Sequence, residues 1–315
     1  MHWAEVKQIG PYWGMRFVLL MQRLLGNRLC LWLIYPAIVF YFVANSYARR
    51  SSLQYLQRFA ACYPEQGLKP GYWLSFRHFV SFVDSMLDKL ASWNGTIAID
   101  EVIMHGREEF LASVNSGKGA VIIGSHLGNI EVSRALASLN NRARLNVLMH
   151  TKHAQTFNRL IRDVSNSQQV VLIEVSEISP AIAILLQQKV DQGEFVCIVG
   201  DRIPVSSNGR TISWPFLGRP AHFAQGPFIL ASLLKCPVYT LFCLKTHGRY
   251  DFYYEHFADR LKLARKNREE SLQQYVGRFA ARLEHYCRQA PLQWFNFYDY
   301  WQHVPAPERT EKHHE

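Results

Sequence analysis

The chain has 315 residues, of which 49% are hydrophobic and 13% aromatic, ample for one large core or two smaller ones. A formal charge of +10 and a sequence pI near 9.4 direct attention to anionic partners: phospholipid headgroups, nucleic acid or an acidic carrier protein. Six scattered cysteines (Cys30, Cys62, Cys197, Cys236, Cys243, Cys287) with no C-x-x-C pair argue against a zinc site and predict reduced, mostly buried thiols on a cytosolic face.

Residues 12–28 have a helical rhythm. Trp13, Phe17, Leu20, Met21, Leu24 and Leu25 share one broad face, with Arg16, Gln22 and Arg23 elsewhere. This is the pattern of a basic amphipathic helix on an anionic membrane. Leu29 to Ala44 is an unbroken apolar run of 16 residues between Arg28 and Asn45. It falls a little short of the roughly 20 residues of a spanning helix. Pro36 is expected to kink it, and Trp32, Tyr35, Tyr41 and Tyr47 suit headgroup depth. No small-residue cleavage site follows, so it does not read as a signal peptide. The run is expected to be a membrane anchor, spanning or re-entrant; a buried core helix is the weaker reading. Basic residues flank both ends, so charge does not orient it.

Helices are expected over 50–62 and 70–93, a strand over 96–100 and a helix over 107–115. Ala120-Val121-Ile122-Ile123-Gly124-Ser125 then reads as a central buried parallel strand ending in a tight turn. From here strands and helices alternate: helix 129–138, strand 144–149, helix 153–166, strand 169–173, helix 178–190 and strand 195–199. A Ser/Asn/Gly loop over 204–211 follows. Helix 224–235, strand 238–245, a hairpin strand over 250–255 and a long basic helix over 258–288 come next. An aromatic cluster from Trp294 to Trp301 closes the fold. The expected class is α/β, with a central mostly parallel sheet flanked by helices and an N-terminal membrane-anchoring helical segment. The expected units are residues 1–50 for the anchor, 51–304 for the catalytic domain and 305–315 for a polar tail.

His126 follows the 120–124 strand, where open α/β sheets place their ligands, and Glu131 lies five residues on. A carboxylate on one ring nitrogen leaves the other as a base. A structural histidine and a chance acidic neighbour are the plain alternative, and the strand-end position weighs against it. Gly200-Asp201-Arg202 ends the 195–199 strand in the same way, either as a polar-group site or as an ion pair capping the strand. Lys152, with His150 and His153, follows a third strand, and a solvated basic loop is the plainer reading there. No G-x-G-x-x-G, H-E-x-x-H or G-x-S-x-G motif is present, which argues against dinucleotide enzymes, zincins and α/β-hydrolases. No nucleic-acid motif is recognisable either.

Taken together these features resemble the membrane acyltransferases of the lysophospholipid and lipid A type, nearest the late lauroyl/myristoyl acyltransferases of bacterial lipid A biosynthesis. The resemblance runs from Tyr12-Trp13-Gly14 to the aromatic C-terminus. The H-x4-[D/E] motif falls on His126 and Glu131, and the second strand-end motif on Gly200, Asp201 and Arg202. Phe216-Leu217-Gly218 and Cys236-Pro237-Val238-Tyr239 fit later blocks. Ile203-Pro204 stands where lipid A enzymes often have a further acidic residue, and Thr151-Lys152-His153 where arginine is frequent.

The resemblance implies acyl transfer from an acyl carrier protein or coenzyme A thioester to a hydroxyl or amine of lipid A or a related envelope glycolipid. His126 would be the base and Glu131 its orienting acid. Backbone N–H groups at Gly128 and Asn129 would hold the oxyanion, and Lys152, Asp201 and Arg202 would contact substrate. No metal and no cofactor beyond the acyl donor is expected. Partners are acyl carrier protein, anionic membrane lipids and a lipid acceptor, with no nucleic acid, at the cytoplasmic face of a bacterial inner membrane. A membrane lipid hydrolase and a non-catalytic lipid- or carrier-binding protein of the same fold are the alternatives.

Overall fold

The computed structural model describes residues 12–93, 102–129, 143–150, 169–175, 179–203 and 210–301. In chain order the elements are α1 (Tyr12–Ala44), α2 (Ser46–Cys62), α3 (Tyr72–Trp93), β1 (Val102–His105), α4 (Arg107–Asn115), β2 (Ala120–Gly124), β3 (Leu145–His150) and β4 (Val170–Val175). They continue as α5 (Pro180–Asp191), β5 (Phe195–Val199), β6 (Thr211–Phe216), β7 (Arg219–Ala224), α6 (Gly226–Leu234), β8 (Val238–Thr246), β9 (Arg249–Ala258) and α7 (Arg268–Gln289).

Among the described residues seven strands form one sheet in the order β1-β9-β8-β2-β5-β3-β4. The five from β8 to β4 run parallel, while β9 is antiparallel to β8 and carries β1 parallel to itself. The expected α/β architecture is therefore present, with helices on both faces. β2 is central and wholly buried. Its Val121 and Ile123 point into one core with β5 Val196, β8 Phe242 and α7 Phe279 and Leu283. Its Ala120 and Ile122 point into the other, with Phe195, Leu241 and α4 Phe110. Burial on both faces makes β2 and β5 continuous apolar runs rather than alternating ones.

Several boundaries differ from expectation. The strand expected over 96–100 and the helices over 129–138 and 153–166 lie outside the described residues, apart from Asn129; a short strand that was not anticipated, β1, covers 102–105. β6 and β7 form an antiparallel hairpin that was not anticipated, because Pro215, Pro220 and the Gly218 turn hide its alternation. The basic helix begins at Arg268 rather than 258, and β9 runs on to Ala258. Residues 50 and 51 both fall inside α2, and residues 305–315 lie outside the described part. All six cysteines are free, five buried and Cys62 partly so.

The N-terminal helix does not break at Pro36. Pro36 stays within α1, and the departure from helical geometry is at Gly26 (φ 75°, ψ 171°), a conformation that costs glycine little. Across that break Cys30 Sγ lies 3.8 Å from the Val18 carbonyl oxygen. In a continuous helix residues twelve apart would be separated by about 18 Å. The chain therefore folds back at Gly26 into two arms.

Candidate active site

β2 and β5 are hydrogen-bonded neighbours, and Gly124 pairs with Val199 at their carboxyl ends. Two residues beyond each member of that pair stand His126 and Asp201. Equal offset from a paired register brings the two side chains together. His126 Nδ1 lies 2.8 Å from Asp201 Oδ1, and the His126 backbone N–H donates to Oδ2 of the same carboxylate at 2.9 Å. Trp294 Nε1–H and Asn296 Nδ2 also donate to Oδ2, at 3.1 and 3.4 Å.

Asp201 is fully buried. Burial by itself raises its pKa, but the contacts from His126 and the nearby Arg202 guanidinium outweigh this and hold it down at about 2. An ionised carboxylate only accepts, so Nδ1 carries the proton and Nε2 is the basic nitrogen. The His126 pKa is lowered below its ordinary value, first by burial, then by Arg202 and, more weakly, by Lys89 on α3, with Asp201 opposing. The imidazole is thus neutral at pH 7 and its side chain keeps 29% of its exposure, so a substrate can reach it. These are the requirements of a general base.

The turn that presents His126 is fastened on both sides. Phe295 N–H donates to the His126 carbonyl oxygen at 3.0 Å, and Leu127 N–H to Ser125 Oγ at 3.2 Å. Gly128 N–H donates to Gln293 O at 2.7 Å and Asn129 N–H to Cys243 O at 3.0 Å. These bonds correct the expectation that Gly128 and Asn129 present N–H groups to an oxyanion, because both donors are spent on backbone carbonyls. Gly128 has φ +68°, and a Cβ there would sit 1.7 Å from the Cys243 carbonyl oxygen. Its role is close backbone approach to β8. The Asn129 side chain donates to Ser85 O on α3 at 3.1 Å.

The other expected site residues divide. Asp201 is fully buried and lies beneath the imidazole, on Nδ1, in the orienting place that sequence reasoning gave to Glu131. Arg202 donates through Nε to Asn296 Oδ1 at 3.0 Å and through Nη2 to Phe295 O at 2.7 Å, so it clamps the C-terminal aromatic segment. Glu131 and Lys152 lie outside the described residues. Sequence reasoning missed Trp294, Asn296 and His78. His78 on α3 is fully buried, with Nε2 3.1 Å from Trp294 O and Nδ1 3.0 Å from Ser52 Oγ. Burial lowers its pKa to about 4, so it is neutral, and Nε2–H is the donor to the carbonyl. Only the aromatic cluster itself hinted at this inner layer.

The sequence matches the profile of the family described as bacterial lipid A biosynthesis acyltransferase over residues 72–303. The chain belongs to that family. This lipid A acyltransferase family member is therefore an acyltransferase acting on a lipid A-like substrate. The match begins at the first residue of α3 and takes in every strand of the sheet, His126, Asp201 and the Trp294–Asn296 segment. No curated protein matches the sequence closely enough to add to this. The family is typically membrane-associated, and Arg16–Ala44 is apolar enough, by length and composition, to enter a membrane.

Proposed function

We propose that this acyltransferase takes a fatty acyl group from an acyl carrier protein or coenzyme A thioester. It places the acyl group on a hydroxyl, or an amine, of lipid A or a related glycolipid at the cytoplasmic face of a bacterial inner membrane. The observation that carries the chemistry is the His126–Asp201 pair at the adjoining ends of β2 and β5. Nε2 of His126 takes the acceptor proton as the acceptor oxygen attacks the thioester carbonyl carbon. The tetrahedral intermediate then collapses, the C–S bond breaks, and the imidazolium returns the proton to the leaving thiolate. Asp201 holds the tautomer and stabilises the imidazolium, as the acid of a catalytic triad does. No nucleophilic serine or cysteine is needed. Glu131 is proposed as a second acid of the site. With Nδ1 engaged by Asp201, its contribution is expected on the substrate side, and Lys152 is expected to position anionic groups of the acceptor. The +10 charge suits an acidic carrier and an anionic membrane.

The deciding experiment uses membranes carrying the protein, its His126→Ala variant or neither, with radiolabelled acyl-carrier protein and a bacterial lipid extract. A new labelled lipid that depends on His126 is the expected result, and its mass names the acceptor. Free fatty acid as the sole His126-dependent product would replace the proposal with a hydrolase. No His126-dependent product from this donor, or from labelled acyl-coenzyme A supplied in its place, would leave a lipid- or carrier-binding protein.

A further inference from the structure

The length of α1 admits a membrane span. Its second arm, Asn27 to Ala44, is 18 residues, or about 27 Å of helix. Its packing points elsewhere. Leu31, Ile34, Tyr35, Ile38, Tyr41 and Phe42 of this arm lie along Phe76, Phe79, Val80 and Val83 of α3. At the Gly26 turn, Gln22 Nε2 donates to Asn27 Oδ1 at 2.8 Å and also to the Leu87 carbonyl oxygen. Asn27 Nδ2 donates to Asp88 Oδ1 at 2.8 Å. Asp88 is buried, and its other oxygen lies 2.8 Å from Lys245 Nζ at the end of β8. So the arm runs antiparallel along α3, from Asp88 at its Gly26 end to Phe76 and Phe79 at its far end.

α3 belongs to the catalytic core: it receives Asn129 at Ser85 and supports Trp294 through His78. A helix lying along α3 for its whole length cannot cross a bilayer unless α3 crosses with it. α3 carries buried Asp88 and His78 together with Arg77, Asp84 and Lys89, which bilayer hydrocarbon does not tolerate. The face turned away from α3 is apolar and open. Phe17, Leu20 and Leu24 on the first arm are exposed, as are Trp32, Leu33, Phe40 and Val43 on the second. Exposed Tyr72 and Trp73 at the start of α3 join the same patch, through Trp73 on Phe76, Phe76 on Tyr35 and Tyr35 on Trp32. Residues 12–50 hold five arginines (Arg16, Arg23, Arg28, Arg49, Arg50) and no acidic residue, which complements anionic headgroups.

We infer that α1 is a monotopic hairpin, both arms lying in one leaflet of an anionic bilayer, with Tyr72 and Trp73 seated in the same leaflet and the Gly26 turn on the catalytic side. The inference rests on the membrane association proposed above but not on the acyl-transfer chemistry. The test uses the full chain, tagged at both ends, in spheroplasts and in inverted vesicles of a bacterial host. Impermeant maleimide probes Arg28→Cys at the turn and Ala37→Cys on the exposed side of the second arm, with the unsubstituted chain as background. Both tags and the thiol at position 28 are expected to respond from one face only, the same for all three, and position 37 to be shielded from both. A response of the N-terminal tag or of position 28 from the face opposite the C-terminal tag would overturn the hairpin, as would recovery of the protein in the soluble fraction. Phe40→Glu is expected to lower partitioning onto phosphatidylglycerol vesicles by about tenfold or more, and an unchanged partition would remove this face from the interface. Acyl transfer is assayed in the same membranes, so a failure of the chemistry is distinguishable from a failure of the topology.

Discussion

The indole N–H of Trp294 donates to Oδ2 of Asp201 at 3.1 Å, so the last aromatic segment of the chain supports the carboxylate that holds the candidate base. Trp294 is itself fully buried, with edge-on contacts to Tyr55, Phe216 and Tyr300. Trp294→Phe keeps most of that packing and removes the donor. The expected outcome is a roughly tenfold fall in kcat with KM little changed, together with a destabilisation of about 1–3 kcal/mol. A variant of wild-type kcat and lowered melting temperature would reduce Trp294 to a packing residue.

Asp201→Asn keeps the shape of the side chain and removes its charge. The amide can present its nitrogen to Nδ1, which favours the wrong tautomer and leaves the imidazolium unsupported. The expected loss in kcat is on the order of 10³-fold, measured with the acyl-carrier thioester in membranes. Glu131→Gln, made alongside, measures the second acid. If Asp201→Asn is near wild type and Glu131→Gln is not, the orienting role belongs to Glu131.

With His126 as the proposed base, its lowered pKa is expected to set the acid limb of the activity profile. The base works only when neutral, so kcat/KM should be flat near pH 7 and fall as pH drops through a value below the ordinary 6.5 of histidine. Asp201 raises this pKa, so in the Asp201→Asn variant the limb moves to lower pH still. A limb above pH 7, or one unmoved by the substitution, would contradict the assignment.

Gly128→Ala places a methyl group 1.7 Å from the Cys243 carbonyl oxygen at a positive φ. The neighbour is backbone of a central strand, so the turn must yield. Activity should fall at least a hundredfold and stability by roughly 2–4 kcal/mol, read by turnover and thermal melting. Retention of both would mean the turn tolerates a different backbone.

His78 makes stability depend on pH. Its folded pKa is lowered to about 4 from 6.5, because burial disfavours the charged ring. The unfolded chain therefore takes up a proton that the folded chain refuses. This contribution is complete above pH 6.5, and about 3 kcal/mol is lost as pH falls from there to about 4. His78→Gln should flatten that part of the curve of unfolding free energy against pH.

Much of the scaffold is legible in the sequence. β2 and β5 read clearly because strands buried on both faces are apolar throughout, and α3 and α5 carried helical periodicity between turn residues. β1 and the β6–β7 hairpin were not legible. β1 has four residues and the hairpin strands carry prolines, so neither shows a clean period of two. Pro36 is expected from the sequence to kink the apolar run, and nothing in the sequence marks Gly26, ten residues earlier, as the residue whose positive φ folds the helix back.

By itself the sequence determined that a histidine stands at the end of a buried parallel strand, that a second strand ends in Gly-Asp-Arg, and that a basic, apolar N-terminus precedes them. Those features follow from local pattern, which burial imprints on neighbouring residues. Only the tertiary structure decided which groups meet. Asp201 reaches His126 because β5 pairs with β2 in a register that sets Val199 beside Gly124, a relationship across 75 residues that no local spacing encodes. The same is true of Trp294 on Asp201 and of Asn27 on Asp88. Hydrogen-bond register and helix packing are long-range choices of the whole chain, and they convert two separate strand ends into one site.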